Sequence, residues 1–297
     1  DPDAAGPPVP ARLPSAFVAA AVTAIALVAW LMTRRVGHPF ELEWIEGAVV
    51  DHVERVRQGL GVYVEPGPDH IALIYTPLLY YLGALVSFVT GVGFAAPRVV
   101  GVLATLACGW LLYRCVTRLG GARSHGLAAV GVFAAGYGYV QSWYDLARND
   151  TLFVAWMSVT VSLLHRGGRG ALGWAALTSV LAFLAKQTAL MWLPALVVGA
   201  VLGDWRRGVR YAVLTAAGIG ATVWAFDRGT GGWFTFFVFD MPGAHGTQSD
   251  RVLGFWTEDL VPLLPMAVAT GWVLLRLWRT GERRSAWLLA AFAGGGL

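Results

Sequence analysis

Seven carboxylates, Glu41, Glu43, Glu46, Asp51, Glu54, Glu65 and Asp69, crowd one stretch of an otherwise greasy chain. A carboxylate within hydrogen-bond reach of an attacking hydroxyl can take its proton. Glu46, in Glu43-Trp44-Ile45-Glu46-Gly47, is the first candidate for such a base, and Glu43 is the second. A second polar cluster follows about a hundred residues later, in Trp143-Tyr144-Asp145-Leu146-Ala147-Arg148-Asn149-Asp150. There Asp145 and Asp150 are candidates to hold sugar hydroxyls or a divalent metal ion. Arg98, Arg148 and Lys186, the only lysine, are candidates to hold a phosphate. Cations at a departing phosphate stabilise the charge that develops on it, and a guanidinium grips phosphate oxygens with paired donors. His70 and His245 can each join a carboxylate at a metal.

Each candidate also has a plain structural reading. Glu46 can be a solvated acid capping a helix over 45–58. Asp145 and Arg148, three apart, can pair on a helix surface. Asp150 stands just before Thr151 and can cap the helix that follows. Lys186 can snorkel from a helix end, because an ammonium at the bilayer centre costs at least ~2.5 kcal/mol. Lone histidines are most often ordinary surface residues.

The elements that must position these groups are helices in a membrane. The chain of 297 residues is 57% hydrophobic and 13% charged, with a mean hydropathy of +0.59. Soluble domains are about a quarter charged. Apolar runs cover roughly 13–33, 71–93, 94–113, 124–142, 151–164, 170–185, 188–203, 209–226, 257–275 and 285–297. Several approach the ~20 residues that span a bilayer. The expected fold is therefore an all-α polytopic membrane bundle of about nine crossing helices. Fourteen Trp and nine Tyr suit anchoring at the membrane interfaces. The Pro-rich stretch 1–12 is expected to be a disordered tail before a transmembrane domain over 13–297, which ends inside an apolar run and is expected to continue beyond it. Cys108 and Cys115, seven apart, lack metal spacing and read as packing residues.

A pI near 9.3 can signal nucleic acid, but here the arginines sit in short turns between apolar runs. The groups at 114–123, 166–169, 206–210 and 276–284 hold twelve arginines against Asp204 and Glu282, and they alternate along the chain. The positive-inside rule puts these turns in the cytoplasm. The loops at 143–150, 186–187 and 227–256 then lie outside, as does the acid-rich first loop. That leaves two apolar runs, 71–93 and 94–113, between an outer loop and an inner turn, and parity allows one crossing. The run 71–93 carries Pro77, Gly83, Gly91, Gly93 and the aromatics Tyr75, Tyr80 and Tyr81. It is the expected non-spanning interfacial segment. Arg34 and Arg35 break the charge rule on the outer side. The Phe-rich stretch within 229–255 is expected on the membrane surface or as a lid.

The order of these motifs resembles the GT-C membrane glycosyltransferases. It is most similar to the family 39-like group, which includes protein O-mannosyltransferases and the lipid A aminoarabinose transferase. The resemblance rests on Glu43 to Gly47, Gly59 to Tyr63, Thr76-Pro77-Leu78, Pro97-Arg98, Trp143 to Asp150 and Ala185-Lys186-Gln187-Thr188, over about 30–200. It implies a polyprenyl-phosphate sugar donor used on the non-cytoplasmic face of the cell membrane. The acceptor would be a lipid, a glycan or a protein. Many members carry an adjacent Asp-Glu pair in the first loop. Here Ile45 precedes Glu46, and Glu43, one helical turn back, can supply the other carboxylate. Two rival readings share the same acids: a proton-coupled transporter or lipid flippase, and a non-catalytic assembly partner that kept the fold. Transporters commonly show internal repeats and broken helices. This chain shows no repeat, and its acids gather at loop edges.

Overall fold

A computed structural model describes residues 13–118, 120–168, 170–244, 246 and 254–294. The stretch 1–12 and His245 lie outside the described residues. Nine helices carry the part of the chain up to residue 230: α1 (Ser15–Arg35), α2 (Glu46–Arg57), α3 (Leu78–Thr90), α4 (Ala95–Arg118), α5 (Arg123–Ala135), α6 (Asn149–Arg166), α7 (Ala171–Ala185), α8 (Ala189–Gly203) and α9 (Trp205–Thr230). Helices Leu264–Arg279 and Arg283–Gly294 follow. No strand occurs among the described residues, which meets the all-α expectation. Three helices, α1, α4 and α9, are long and apolar enough to cross a membrane.

The bundle pairs sequence neighbours. α1 lies on α5, α3 and α5 lie on α4, α6 packs between α4 and α7, and α9 covers α7 and α8. Close approaches depend on small residues. A side chain at Gly131 of α5 would meet Ala21 of α1, so these helices touch almost backbone to backbone. Gly101 of α4 faces the backbone of the second polar loop, where an added Cβ would stand 2.6 Å from the Leu146 carbonyl oxygen. Thr105, one turn on, donates to the Tyr144 carbonyl at 2.5 Å. The absence of a side chain at 101 thus lets that loop lie flat on α4.

α3 is 13 residues long, about 20 Å at 1.5 Å per residue. Its middle meets the loop helix α2 and the first turn of α4. An added Cβ on Gly83 would touch Val53 and Pro97, and Ser87 accepts a hydrogen bond from Arg57 at 3.3 Å. The Phe-rich stretch departs from the expected surface segment or lid. It forms short helical pieces at Trp233–Thr235, Phe236–Asp240 and Met241–Gly243. Phe234, Phe237 and Val238 are core residues, and Phe234 packs against Tyr63 and Phe226. Apolar content here filled the interior, where the aromatic rings are worth most.

Candidate functional site

The chain leaving α1 brings Glu43 and Glu46 to the point where four helix ends meet. These are the starts of α4, α6 and α8 and the end of α7. Asn149 at the start of α6 donates to the Ala185 carbonyl at the end of α7, at 2.7 Å. Gln187, just before α8, donates to the carbonyls of Ile74 at 2.6 Å and Val238 at 3.3 Å. The candidates Glu43, Glu46, Arg98, Asp145, Arg148, Asp150 and Lys186 therefore lie at one end of the bundle. They divide into a sealed group and an open one.

Glu46 and Arg98 form the sealed group, and neither side chain reaches solvent. Arg98 Nε and Nη2 donate to the two Glu46 oxygens at 2.9 and 2.6 Å. The rest of the guanidinium is taken by the carbonyls of Arg35, His38 and Phe40. Glu46 also accepts from the backbone N–H groups of Leu42 and Ala147, at 2.8 and 2.9 Å. Burial alone pushes the Glu46 carboxyl up, but Arg98 and the two N–H donors outweigh it and hold the group below its usual range. A free base at Glu46 and a free phosphate donor at Arg98 were the sequence expectations. The geometry gives another arrangement, because each is the other's partner and every donor of the fork is engaged. Nor does the Glu46 side chain cap α2; it crosses to α4 and to the second polar loop.

Asp145 adjoins this group. It accepts from the Tyr137 hydroxyl at 2.9 Å and lies 3.5 Å from Arg35. Tyr137 and Arg35 are in turn hydrogen-bonded to each other. The other Asp145 oxygen is buried without a hydrogen-bond partner. Burial raises the Asp145 carboxyl above its ordinary value against the pull of Arg35 and Tyr137, and nearby Glu46 adds to the rise. The approach to Asp145 runs through Gln141 and Ser142, both left-handed at φ of 52° and 60°. Such non-glycine residues cost on the order of 1–3 kcal/mol each and persist only where the surroundings enforce them. The expected surface pair of Asp145 with Arg148 does not form; Asp145 turns to α1 instead.

The open group is a chain of four charges. Arg148 Nη1 donates to Glu43 at 2.8 Å, and its Nε donates to Asp150 at 3.0 Å. Lys186 donates to the other Asp150 oxygen at 2.6 Å. Side-chain exposure runs from 10% for Arg148 and 14% for Glu43 to 24% for Lys186 and 26% for Asp150. The Trp143 ring lies 3.7 Å from the guanidinium carbon and holds it from below. Asp150 stands in the first turn of α6 but does not cap it; its oxygens go to the two cations. α6 and α8 both begin here without a side-chain cap, and helix N-termini attract anions.

His70 does not join a carboxylate. Its Nε2 meets the Val62 carbonyl at 2.8 Å, and its ring lies 5.0 Å from that of His52. Among the described residues, no three His, Cys, Asp or Glu side chains converge to hold a metal ion. Glu43, Glu46 and Asp150 are each paired with a cation in this arrangement.

Three residues of the site region escaped the sequence reading. Arg35 and Tyr137 belong to the Asp145 network, and the departure of Arg35 from the charge rule was the available signal. His52 had none. It is fully buried on α2, its Nδ1 donating to the Ala48 carbonyl at 2.6 Å while Nε2 accepts from the Leu73 N–H at 2.9 Å. Those partners fix the neutral tautomer and clamp the 71–75 segment onto α2.

A helical membrane protein with acids and bases gathered at the loop end of its bundle is the class these features define. Residues 75–226 match the family described as dolichyl-phosphate-mannose-protein mannosyltransferase, and the chain belongs to that family. Comparison with curated proteins and with solved structures finds no match. The family makes the chain a membrane glycosyltransferase, and the transporter reading gains no support from it. The matched stretch contains Arg98, Asp145, Arg148, Asp150 and Lys186; Glu43 and Glu46 precede it.

Proposed function

We propose that the chain transfers a sugar from a polyprenyl-phosphate donor to a hydroxyl-bearing acceptor on the non-cytoplasmic side of the membrane. The observation that carries this reading is the open Glu43–Arg148–Asp150–Lys186 chain in a member of a mannosyltransferase family. Glu43 is the base, since Glu46 is sealed with Arg98. Glu43 takes the acceptor's proton as the new oxygen–C1 bond forms and the C1–O bond to phosphate breaks. The phosphate leaves with the bonding electron pair and gains one negative charge, which Arg148 and Lys186 stabilise. Glu46 and Arg98 brace the first loop, and Asp145 orients the second.

The α3 contacts support the outer topology. Its middle rests on α2 and the first turn of α4, which favours a helix lying at the polar-loop end over one that crosses. The lipid carrier then approaches from the outer leaflet, with its phosphate level with Lys186.

The test is transfer from a radiolabelled isoprenyl-phosphate sugar by the purified full chain in lipid. Glu43→Gln keeps the shape and removes the basic charge. It should lower turnover by roughly 10²-fold or more while leaving the melting behaviour close to wild type. Turnover within a few-fold of wild type would remove Glu43 as the base.

A further inference from the structure

In the open group, both cations that would hold the donor's phosphate are already occupied by carboxylates. We propose that Glu43 and Asp150 are placeholders for the donor's phosphate, and that the donor releases Glu43 as a base by displacing it from Arg148. This rests on the transferase reading above and adds an order to it: the donor binds first, and only then is the acceptor activated.

The contrast between the two arginines supports the exchange. Arg98 gives a two-pronged grip to one carboxylate and its other donors to three carbonyls, with both the guanidinium and the carboxylate out of solvent. Nothing there can be replaced without stranding a buried charge. Arg148 instead gives one donor to each of two carboxylates, on side chains that reach solvent. Single-pronged, partly hydrated contacts are the weaker kind. The guanidinium itself does not depend on them for its position, because the Trp143 ring supports its face. Lys186 is held similarly, by one contact to Asp150 with its ammonium 5.9 Å from the Tyr75 ring centre. A phosphate presents the same acceptor oxygens as a carboxylate, with more of them, and the uncapped start of α6 favours it further.

Displacement changes what Glu43 can do. Oε1 is occupied by Arg148 at 2.8 Å, and Oε2 is engaged by the Ile45 N–H at 3.1 Å. When phosphate takes Arg148, Oε1 becomes available beside the anomeric carbon the phosphate carries. Without donor the base stays masked, so water and stray hydroxyls are not activated. The closed pairs reduce apparent donor affinity, as any unpopulated binding-competent state does.

The experiment measures binding of an isoprenyl monophosphate to the full chain in lipid nanodiscs, with no acceptor and no turnover. Asp150→Asn and Glu43→Gln remove the competing charges and should each bind the probe about tenfold tighter than wild type, even though Glu43→Gln is inactive. Glu54→Gln, an exposed acid on α2, controls for net charge and should bind as wild type does. Inorganic phosphate at the same concentration separates recognition of the headgroup alone from recognition of the lipid-borne one; relief of competition should tighten both. Unchanged or weaker binding in both the Asp150 and Glu43 variants overturns the exchange while leaving the transferase reading intact. If wild type and Arg148→Ala bind the probe equally poorly, both fall.

Discussion

Glu43 and Glu46 are three residues apart and differ in nearly everything that decides a side chain's role. Glu46 is out of solvent with four donors on its oxygens; Glu43 keeps an edge in water and one arginine contact. Breaking a buried pair by removing one partner costs about 3–5 kcal/mol, because the other charge is left uncompensated. Glu46→Gln and Arg98→Met should each lower thermal stability by that order. The double variant should cost less than the sum, since neither charge is then stranded; strict additivity of the melting shifts would show that the two do not act as a pair. His52 adds a pH dependence. Burial depresses its imidazole to about 4, against 6.5 for a free histidine. The folded state thus refuses a proton that the unfolded state takes. Stability is complete above pH 6.5 and falls as pH drops toward 4, by about 3 kcal/mol in all. Hydrogen exchange at α2 and residues 71–75 should quicken over that window in wild type. A His52→Gln chain should show no such window, and a slope persisting in it would assign the effect elsewhere.

At the scale of elements, much was legible and the limits were physical. Apolar runs located the long helices, since helices α1, α4, α6, α7 and α8 follow the runs to within a few residues. The run at 124–142 held more than one element. α5 stops at Ala135, and a tight turn over Gly136–Gly138 re-aims the chain so that Tyr137 reaches Asp145. Partner choice was not legible. Local spacing suggested Asp145 with Arg148 and a cap by Asp150, yet the pairs that formed join residues 36, 52 and 105 positions apart. Only the meeting of helix ends decides such pairs. The same holds for Arg35: an arginine on the wrong side of a charge rule became explicable once Asp145 was beside it. α3 provides the topological test. Single cysteines at Leu60, Val92 and Tyr139, all exposed, in a chain with Cys108 and Cys115 replaced by Ser, should react with an impermeant thiol reagent from outside. A cysteine at Trp205 should react only after permeabilisation. Labelling of Val92→Cys from the inner side would make α3 a crossing helix and separate the two polar loops.

For the whole molecule, charge is arranged along one axis. Arginine-rich turns lie toward the ends of α4, α6, α8 and the Leu264–Arg279 helix, while the acids gather where α4, α6 and α8 begin. Helix dipoles follow the same direction at α4, α6 and α8, with N-termini at the acidic end and C-termini toward the arginines. Family and fold class were readable because composition and motif order are properties of the whole chain. The roles within the site were not, because they depend on which charges remain wet.

The carboxylate of Glu46 joins three lengths of chain at one point: the loop after α1 through Leu42, α4 through Arg98, and the approach to α6 through Ala147. During synthesis these arrive in sequence. When the first loop has been made, Glu46 has no Arg98; when α4 has followed, it still has no Ala147. This three-way junction therefore cannot close until Ala147 has been made, about a hundred residues after Glu46. Before that point Glu46 lacks one of its four donors, and a nascent chain halted before residue 147 should be cut in its first loop by an added protease more readily than one halted after α6.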